Sequence, residues 1–211
     1  MIITRASFAE LFTSILSLTI TSDDSFAQVP QEPQELQQGR HKQRPLSCNT
    51  CHTSSPEIKY HPPPYGVNYE TNPTVFGRIL DGTIPSSTIM ENEELITICD
   101  RHPKAPLHGL VIPKRYIESV KSLNNDDLDT ILHMKESAME ILKCDQPNAY
   151  ANNDYILCFH VPPFISVGHL HLHVLAPASE MQIQYRWGKY LVGTRWCSDV
   201  DEIINVLRDV K

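Results

Sequence analysis

The 211-residue chain has no run of about 18 or more uncharged apolar residues, which argues against an ordinary membrane-spanning helix. Basic residues are also scarce, with 18 Lys and Arg against 25 Asp and Glu and a formal net charge of -7. Non-specific nucleic-acid binding needs an excess of positive charge, so this balance argues against it. With 41% hydrophobic residues the chain can hold one core, and we predict a soluble globular protein without a membrane or nucleic-acid partner.

Cysteines are too sparse for a disulfide scaffold, and four of them stand alone in apolar or helical contexts. This usage favours a reducing compartment, and we predict a cytoplasmic or nuclear protein. The six cysteines are Cys48, Cys51, Cys99, Cys144, Cys158 and Cys197.

Residues 1–28 loosely imitate a cleavable signal, because Arg5 precedes an apolar stretch at 11–20 and small residues follow it. Glu10 interrupts the pattern. We therefore predict a disordered or weakly helical leader, with secretion or organelle import as the alternative.

The whole of residues 1–72 is predicted to be a disordered leader and tail, since eight of the sixteen prolines fall between Pro30 and Pro73 and the glutamine-rich segment 28–43 is poor in branched apolar residues. The folded domain is predicted at 73–211. Within the tail, the run from Cys48 to Cys51 and His52 has the spacing of a small zinc site and of a c-type haem attachment site. We expect neither ligand there, because a tail does not supply the remaining ligands or a haem pocket.

From Thr74 onward, strand-like and helix-like segments alternate. A hairpin, further short strands and two amphipathic helices predict an α+β domain with an antiparallel sheet of about five strands. The first helix is expected after a cap formed by Asn124 and Asp127, and the last one near Ser198. The predicted strands are 88–90, 95–99, 107–112, 155–159 and 169–175.

The segment from Gly168 to Leu175 alternates histidines with apolar residues. In a strand, His169, His171 and His173 would share one face about 6.6 Å apart, while the apolar residues pack into the core. Three interpretations are open: a polar face, a metal site, or catalysis in which an imidazole attacks phosphorus.

Four further segments accompany the histidine strand in carrying a family resemblance: Val75–Ser86, Asp100–Lys114, Phe159–Gly168 and Ala176–Pro177. With it they resemble the histidine triad (HIT) superfamily over most of residues 74–177. The segment before the triad is more similar to the HINT3-like branch of adenosine 5′-monophosphoramidases than to the dinucleotide hydrolases or the galactose-1-phosphate transferases.

The resemblance implies a HIT-like fold and hydrolysis of the P–N bond in adenosine 5′-phosphoramidates. It makes His171 the nucleophile, which becomes transiently adenylylated. His173 would bind the phosphate and protonate the leaving amine, and His169 would orient His171. This mechanism requires no metal and no cofactor.

The resemblance also implies nucleotide contacts. Asp100 would accept hydrogen bonds from the ribose hydroxyls, although an ordinary turn residue is the alternative. His108 would lie beside the triad, with an ordinary strand histidine bonded to a backbone carbonyl as the alternative. Ser166 and His160 would lie on the phosphate side, and an ordinary loop serine is the alternative for Ser166. We expect Lys114 to be a surface lysine that lies over the following helix.

The chain departs from many relatives at the start of the domain. Where they carry a zinc-binding Cys-x-x-Cys pair, this chain has Thr74 and Gly77, so the family zinc site is not expected.

Relatives are commonly homodimers, and the apolar stripe from Leu128 to Leu142 is compatible with a dimer, although the same stripe would also serve as ordinary core. The expected partner is a purine nucleotide joined to an amine. Two alternatives stay open: a non-catalytic nucleotide-binding regulator, and aprataxin-like removal of AMP from macromolecules.

Overall fold

The computed structural model describes Cys51 and residues 55–209. Six antiparallel strands form one sheet in the order β1-β2-β3-β5-β4-β6, which confirms the predicted α+β architecture and adds one strand to it. The predicted leader and most of the Cys48–His52 run lie outside the described residues. The strands are β1 (Thr88–Glu91), β2 (Leu95–Cys99), β3 (Leu107–Pro113), β4 (Ile156–His160), β5 (Leu172–Ala176) and β6 (Cys197–Asp199).

Four α-helices surround the sheet in the described part of the chain: α1 (Val75–Leu80), α2 (Leu128–Asp145), α3 (Pro147–Ala151) and α4 (Val200–Asp209).

The predicted cap before α2 is present. Asn124 accepts a hydrogen bond from the backbone N–H of Asp126 through its side chain, and Asp127 accepts one from the backbone N–H of Asn124. α1 was not expected from the sequence. No helix among the described residues is both long and apolar enough to cross a bilayer.

The two faces of the sheet carry different chemistry because strand side chains alternate. Leu172 and Val174 of β5 face the main core, where they join Ile131 and Met134 of α2. His173 lies between them in sequence and therefore faces the other side.

That second face holds two smaller apolar clusters. One surrounds Phe76 of α1 and Ile112 of β3, and the other surrounds Tyr190 and Cys197. The rings of Phe76 and Tyr190 both reach the histidines, so the histidines lie between the two clusters.

Side chains N-terminal to the predicted boundary at residue 72 also pack in this structure. His61, Tyr69 and Asn72 are buried, so the packed chain begins upstream of 73. Composition misses this because the contacts that hold this segment come from distant residues, such as Lys114 and Glu91.

Lys114 is one of these distant residues, and its expected surface position is wrong. The side chain is buried, donates to the carbonyl of Pro62 at 3.0 Å and lies 2.9 Å from Glu91 Oε1. A buried ammonium needs such partners, and here they come from chain 52 residues away and from β1.

A disulfide joins Cys51 to Cys99 at the end of β2, with a Cα–Cα distance of 5.6 Å. From the sequence, Cys51 was assigned to an unattached tail and Cys99 was counted among the cysteines that stand alone. Spacing along the chain does not reveal this pair, because 48 residues separate its members.

Candidate active site

The triad does not lie on one strand as expected. β5 begins at Leu172, so His173 is a strand residue while His169 and His171 lie in the preceding connection. Pro113 lies at the end of the neighbouring β3 and has no N–H to donate, which explains why the ladder stops at the pair Val111 and Leu172.

His169 is held as one tautomer by two buried partners. Its Nε2 lies 2.9 Å from the carbonyl of Pro113, which can only accept, so Nε2 carries the proton. Its Nδ1 therefore accepts from the amide of Asn72 at 2.9 Å. Burial lowers the pKa of His169 to about 4, against the opposing effect of its backbone hydrogen bond, and the ring is neutral near pH 7.

The residues at the family zinc positions support Asn72. The backbone N–H and the hydroxyl of Thr74 donate to Asn72 Oδ1 at 3.2 and 2.7 Å, which assigns the orientation of the amide. At Gly77 a Cβ would come within 2.2 Å of the Asn72 carbonyl oxygen, so a larger side chain there would displace Asn72.

The Nε2 atom of His171 is unprotonated. Its Nδ1 donates to the carbonyl of His169 at 2.7 Å, so Nε2 keeps its lone pair. Burial lowers the pKa of His171, although the bond to His169 and the charge of Asp100 act in the opposite direction. An unprotonated Nε2 near pH 7 is what a nucleophilic imidazole requires.

His173 presents the complementary group. The backbone N–H of Lys104 donates to His108 Nδ1 at 3.3 Å, so His108 carries its proton on Nε2 and donates it to His173 Nδ1 at 3.0 Å. His173 then carries its proton on Nε2, a buried atom with no hydrogen-bond partner among the described residues. Burial, followed by the neighbouring imidazoles, lowers the pKa of His173, so it is a neutral donor.

The two reactive nitrogens belong to adjacent rings. The ring centroids of His171 and His173 are 4.9 Å apart, and those of Phe76 and His171 are 5.1 Å apart in an edge-to-face arrangement. A lone pair and an N–H donor side by side, in a mostly buried setting, can attack a phosphorus atom and serve its leaving group.

The predicted nucleotide residues fall into three cases. His160 joins the cluster, with its ring 4.6 Å from His173. Asp100 Oδ1 accepts from the His102 N–H as in a turn, while Oδ2 lies 3.6 Å from His108 Nε2. Ser166 is exposed in the loop before the triad and makes no hydrogen bond to another described residue.

Asp100, His108 and His173 form a group whose ligand atoms lie within 4.8 Å of one another and could hold a metal ion. Two of those atoms, His108 Nε2 and His173 Nδ1, already share one proton in a hydrogen bond. A metal would have to replace that bond, so this donor set fits a proton-transfer chain better than a metal centre.

Sequence reasoning misses three residues of the site. Asn72 was assigned to the tail, while Tyr190 and Lys189 were assigned no role. Tyr190 is buried, with its ring 5.3 Å from that of His173. The available signals were an Asn two residues before the capping Thr74 and a cluster of aromatic residues, Tyr185, Trp187 and Tyr190, around Lys189.

Replacing Asn72 with Asp is expected to lower kcat/KM about tenfold at pH 7 for the phosphoramidate hydrolysis that the family resemblance implies. A carboxylate cannot donate to His169 Nδ1, so it favours a protonated His169 beside His171. The pH profile of kcat/KM should shift, and ¹⁵N NMR of His169 should report the added proton.

The matched control is Asn68→Asp, because Asn68 caps an exposed turn through the same kind of side-chain bond. Equal profiles for both variants would mean that Asn72 does not set the protonation of His169.

Comparisons with known proteins show the family. Residues 73–187 match the family model described as scavenger mRNA decapping enzyme C-term binding. The chain is 40% identical over 119 residues to adenosine 5′-monophosphoramidase HINT3 of Danio rerio, and the aligned part covers 56% of this chain and 71% of that protein. It is 37% identical over 147 residues to the protein of that name in Mus musculus, covering 67% and 84%. Among solved structures, a HIT family hydrolase from Legionella pneumophila is 29% identical, with a TM-score of 0.45 over 52% of this chain and 94% of that one.

Proposed function

Because this chain belongs to the histidine triad superfamily, we propose that it is a nucleotide phosphoramidase that hydrolyses adenosine 5′-phosphoramidates to AMP and an amine. The observation that carries the proposal is the bare Nε2 of His171 beside the N–H donor of His173. The names of the two HINT3 relatives describe the same activity for those proteins.

The reaction has two halves that balance. First, the bound phosphate anion, together with the Asp100 carboxylate 3.6 Å from His108 Nε2, favours one added proton on the hydrogen-bonded pair His108 and His173. His171 Nε2 then bonds to the α-phosphorus, the P–N bond breaks, and the leaving nitrogen takes the Nε2 proton of His173, which leaves the pair neutral. Then water attacks the phosphorus, the bond to His171 breaks, and the proton released by water returns to His173. His169 holds His171 in register through its carbonyl, which accepts the His171 Nδ1 proton.

Residues around this pair would bind the nucleotide. Asp100 Oδ2 accepts from the ribose, His108 holds His173 in its donor tautomer, and His160 and Ser166 line the phosphate side. Asp100 keeps part of its side chain exposed and accessible to a sugar, with 20% of its surface open.

The test is release of AMP from adenosine 5′-phosphoramidate (AMP–NH2) by the full chain, with a rapid acid-free quench and mass spectrometry for an adenylylated histidine. Turnover with a transient adduct on the peptide that contains His171 is the expected result. If the chain binds AMP but releases no AMP from the substrate after long incubation, the phosphoramidase proposal is wrong and the alternative of a non-catalytic nucleotide-binding regulator is supported.

We also propose that the chain acts as a homodimer without a nucleic-acid partner, and that it is located in the cytoplasm or nucleus, where the Cys51–Cys99 disulfide would be reduced. A sedimentation mass of one chain would contradict the dimer. Imaging of the tagged full chain tests the compartment, and a nucleic-acid binding assay tests the last point.

A further inference from the structure

A pocket opens beside the triad, on the side of β4 and β6. Five residues line this side pocket: His160, Phe164, Gly188, Lys189 and Trp196. Its volume is about 460 Å³, which is enough for a small organic group. His160 forms the boundary with the catalytic residues, because its ring lies 4.6 Å from that of His173.

The walls of the side pocket are aromatic and fixed. Phe164 and Trp196 meet edge to face at 6.3 Å, and Trp196 Nε1 donates to the carbonyl of Gly188 at 3.0 Å. The indole N–H is thereby satisfied, which leaves the rings as apolar surface. Flat apolar groups pack well against such rings.

The charge in the side pocket is positive. Lys189 is exposed at the pocket, and its ammonium lies 5.4 Å from the centre of the Tyr190 ring. None of the five lining residues is acidic. The guanidinium of Arg195 lies 6.0 Å from the Phe164 ring centre and adds a second cation nearby.

The backbone that carries Lys189 is held from two sides. His160 Nε2 donates to the Lys189 carbonyl at 3.3 Å, and Trp196 donates to the preceding residue. After burial, the charge of Lys189 is a further cause that lowers the pKa of His160, so the ammonium is close to the histidine cluster.

The side pocket lies away from the proposed nucleoside side. Asp100 follows β2, whereas Phe164 and Trp196 accompany β4 and β6. β5, with His173, runs between these two halves of the sheet. In a phosphoryl transfer the leaving group departs opposite the attacking His171 nitrogen, and the nucleoside is an equatorial substituent of the phosphorus. The leaving nitrogen takes its proton from His173, whose ring lies 4.6 Å from that of His160 at the boundary of the side pocket, so the leaving group lies on the pocket side.

We propose that the side pocket is a leaving-group subsite that selects amines bearing both an aromatic ring and a carboxylate, with Lys189 binding the carboxylate and Phe164 and Trp196 packing on the ring. The inference rests on the proposed phosphoramidase function and names the substrate class: AMP joined through nitrogen to an aromatic amino acid.

The test uses three substrates: AMP–NH2, AMP joined to tryptamine, and AMP joined to the nitrogen of tryptophan. The last two differ by one carboxylate. For each enzyme we define the carboxylate ratio as kcat/KM for the tryptophan compound divided by kcat/KM for the tryptamine compound. Comparing this ratio between variants cancels the different reactivities of the two amines.

Lys189→Met is expected to lower the carboxylate ratio about fivefold, since an exposed ion pair contributes on the order of one such factor. Phe164 is half-exposed, and Phe164→Ala should lower kcat/KM for both aromatic substrates about fivefold relative to kcat/KM for AMP–NH2. The carboxylate ratio should stay the same. The control is Lys143→Met, because Lys143 also lies over a tyrosine, 5.2 Å from the Tyr150 ring, but on the distant helix α2. It should leave the ratio unchanged.

Two results would overturn the subsite. If Lys189→Met lowers kcat/KM equally for all three substrates, Lys189 is a general phosphate ligand. If the carboxylate ratio is unchanged, Lys189 has no role in carboxylate binding. If the wild-type chain releases no AMP from AMP–NH2, the proposed function itself fails. Calorimetric affinities of the two aromatic compounds for wild type and Lys189→Met then decide the subsite by the same ratio.

Discussion

His171→Ala is expected to bind AMP and to hydrolyse AMP–NH2 at least about a thousandfold more slowly than the wild-type chain. His171 Nε2 is the one nitrogen of the described triad that combines a free lone pair with a position next to the His173 donor. Removing it removes the atom that bonds to phosphorus, whereas the proposed ribose contact at Asp100 is left in place. The measurements are AMP release and AMP affinity by calorimetry.

The control is His133→Ala, the same substitution at an exposed helix histidine whose Nδ1 lies 2.9 Å from Glu94. It should keep full activity. Added imidazole should partly restore AMP release in His171→Gly, because a free imidazole can occupy the emptied position. If His171→Ala keeps most of its activity, the nucleophile is a different group.

Stability is expected to fall steeply in acid, by about 3 kcal/mol for each of three buried histidines between pH 6.5 and pH 4. Burial is the first cause that lowers the pKa of His108, His160 and His169, each to about 4. In that interval the unfolded chain binds protons that the folded chain excludes. The free energy of unfolding therefore rises with pH through the window and is lost as pH falls through it.

Urea unfolding at several pH values between 7.5 and 4.5 measures this loss. His160→Gln removes one of the three imidazoles while keeping a polar side chain of similar reach. Its loss across the window should be smaller than that of the wild-type chain by about 3 kcal/mol. A stability that stays level from pH 7 to pH 5 would contradict the burial of neutral imidazoles.

Much of the fold was accessible from local pattern. The hairpin of β1 and β2, the cap at Asn124 and the stripe of α2 depend on residues a few positions apart, and the structure has all three. β6 was missed because a three-residue strand carries no periodic signal, and α1 because six residues span fewer than two turns.

The start of β5 shows the limit of periodicity. The alternation of histidines and apolar residues includes His169 and His171, yet β5 begins at Leu172. The neighbouring strand β3 ends at Pro113, which has no N–H to donate to β5. The partner strand thus decides where pairing ends.

The sequence alone was enough to reveal which groups the candidate site contains: three alternating histidines in a segment that resembles a known family, with Asp100 and His108 at matching positions. The tertiary structure decided the proton on each ring, because those protons are set by partners far away in the chain. Asn72 is 97 residues from His169, and His108 is 65 residues from His173. It also placed Lys114 in a buried ion pair and Lys189 at the side pocket. A short-range pattern specifies which groups are present, but a hydrogen bond between distant residues exists only once the sheet has brought them together.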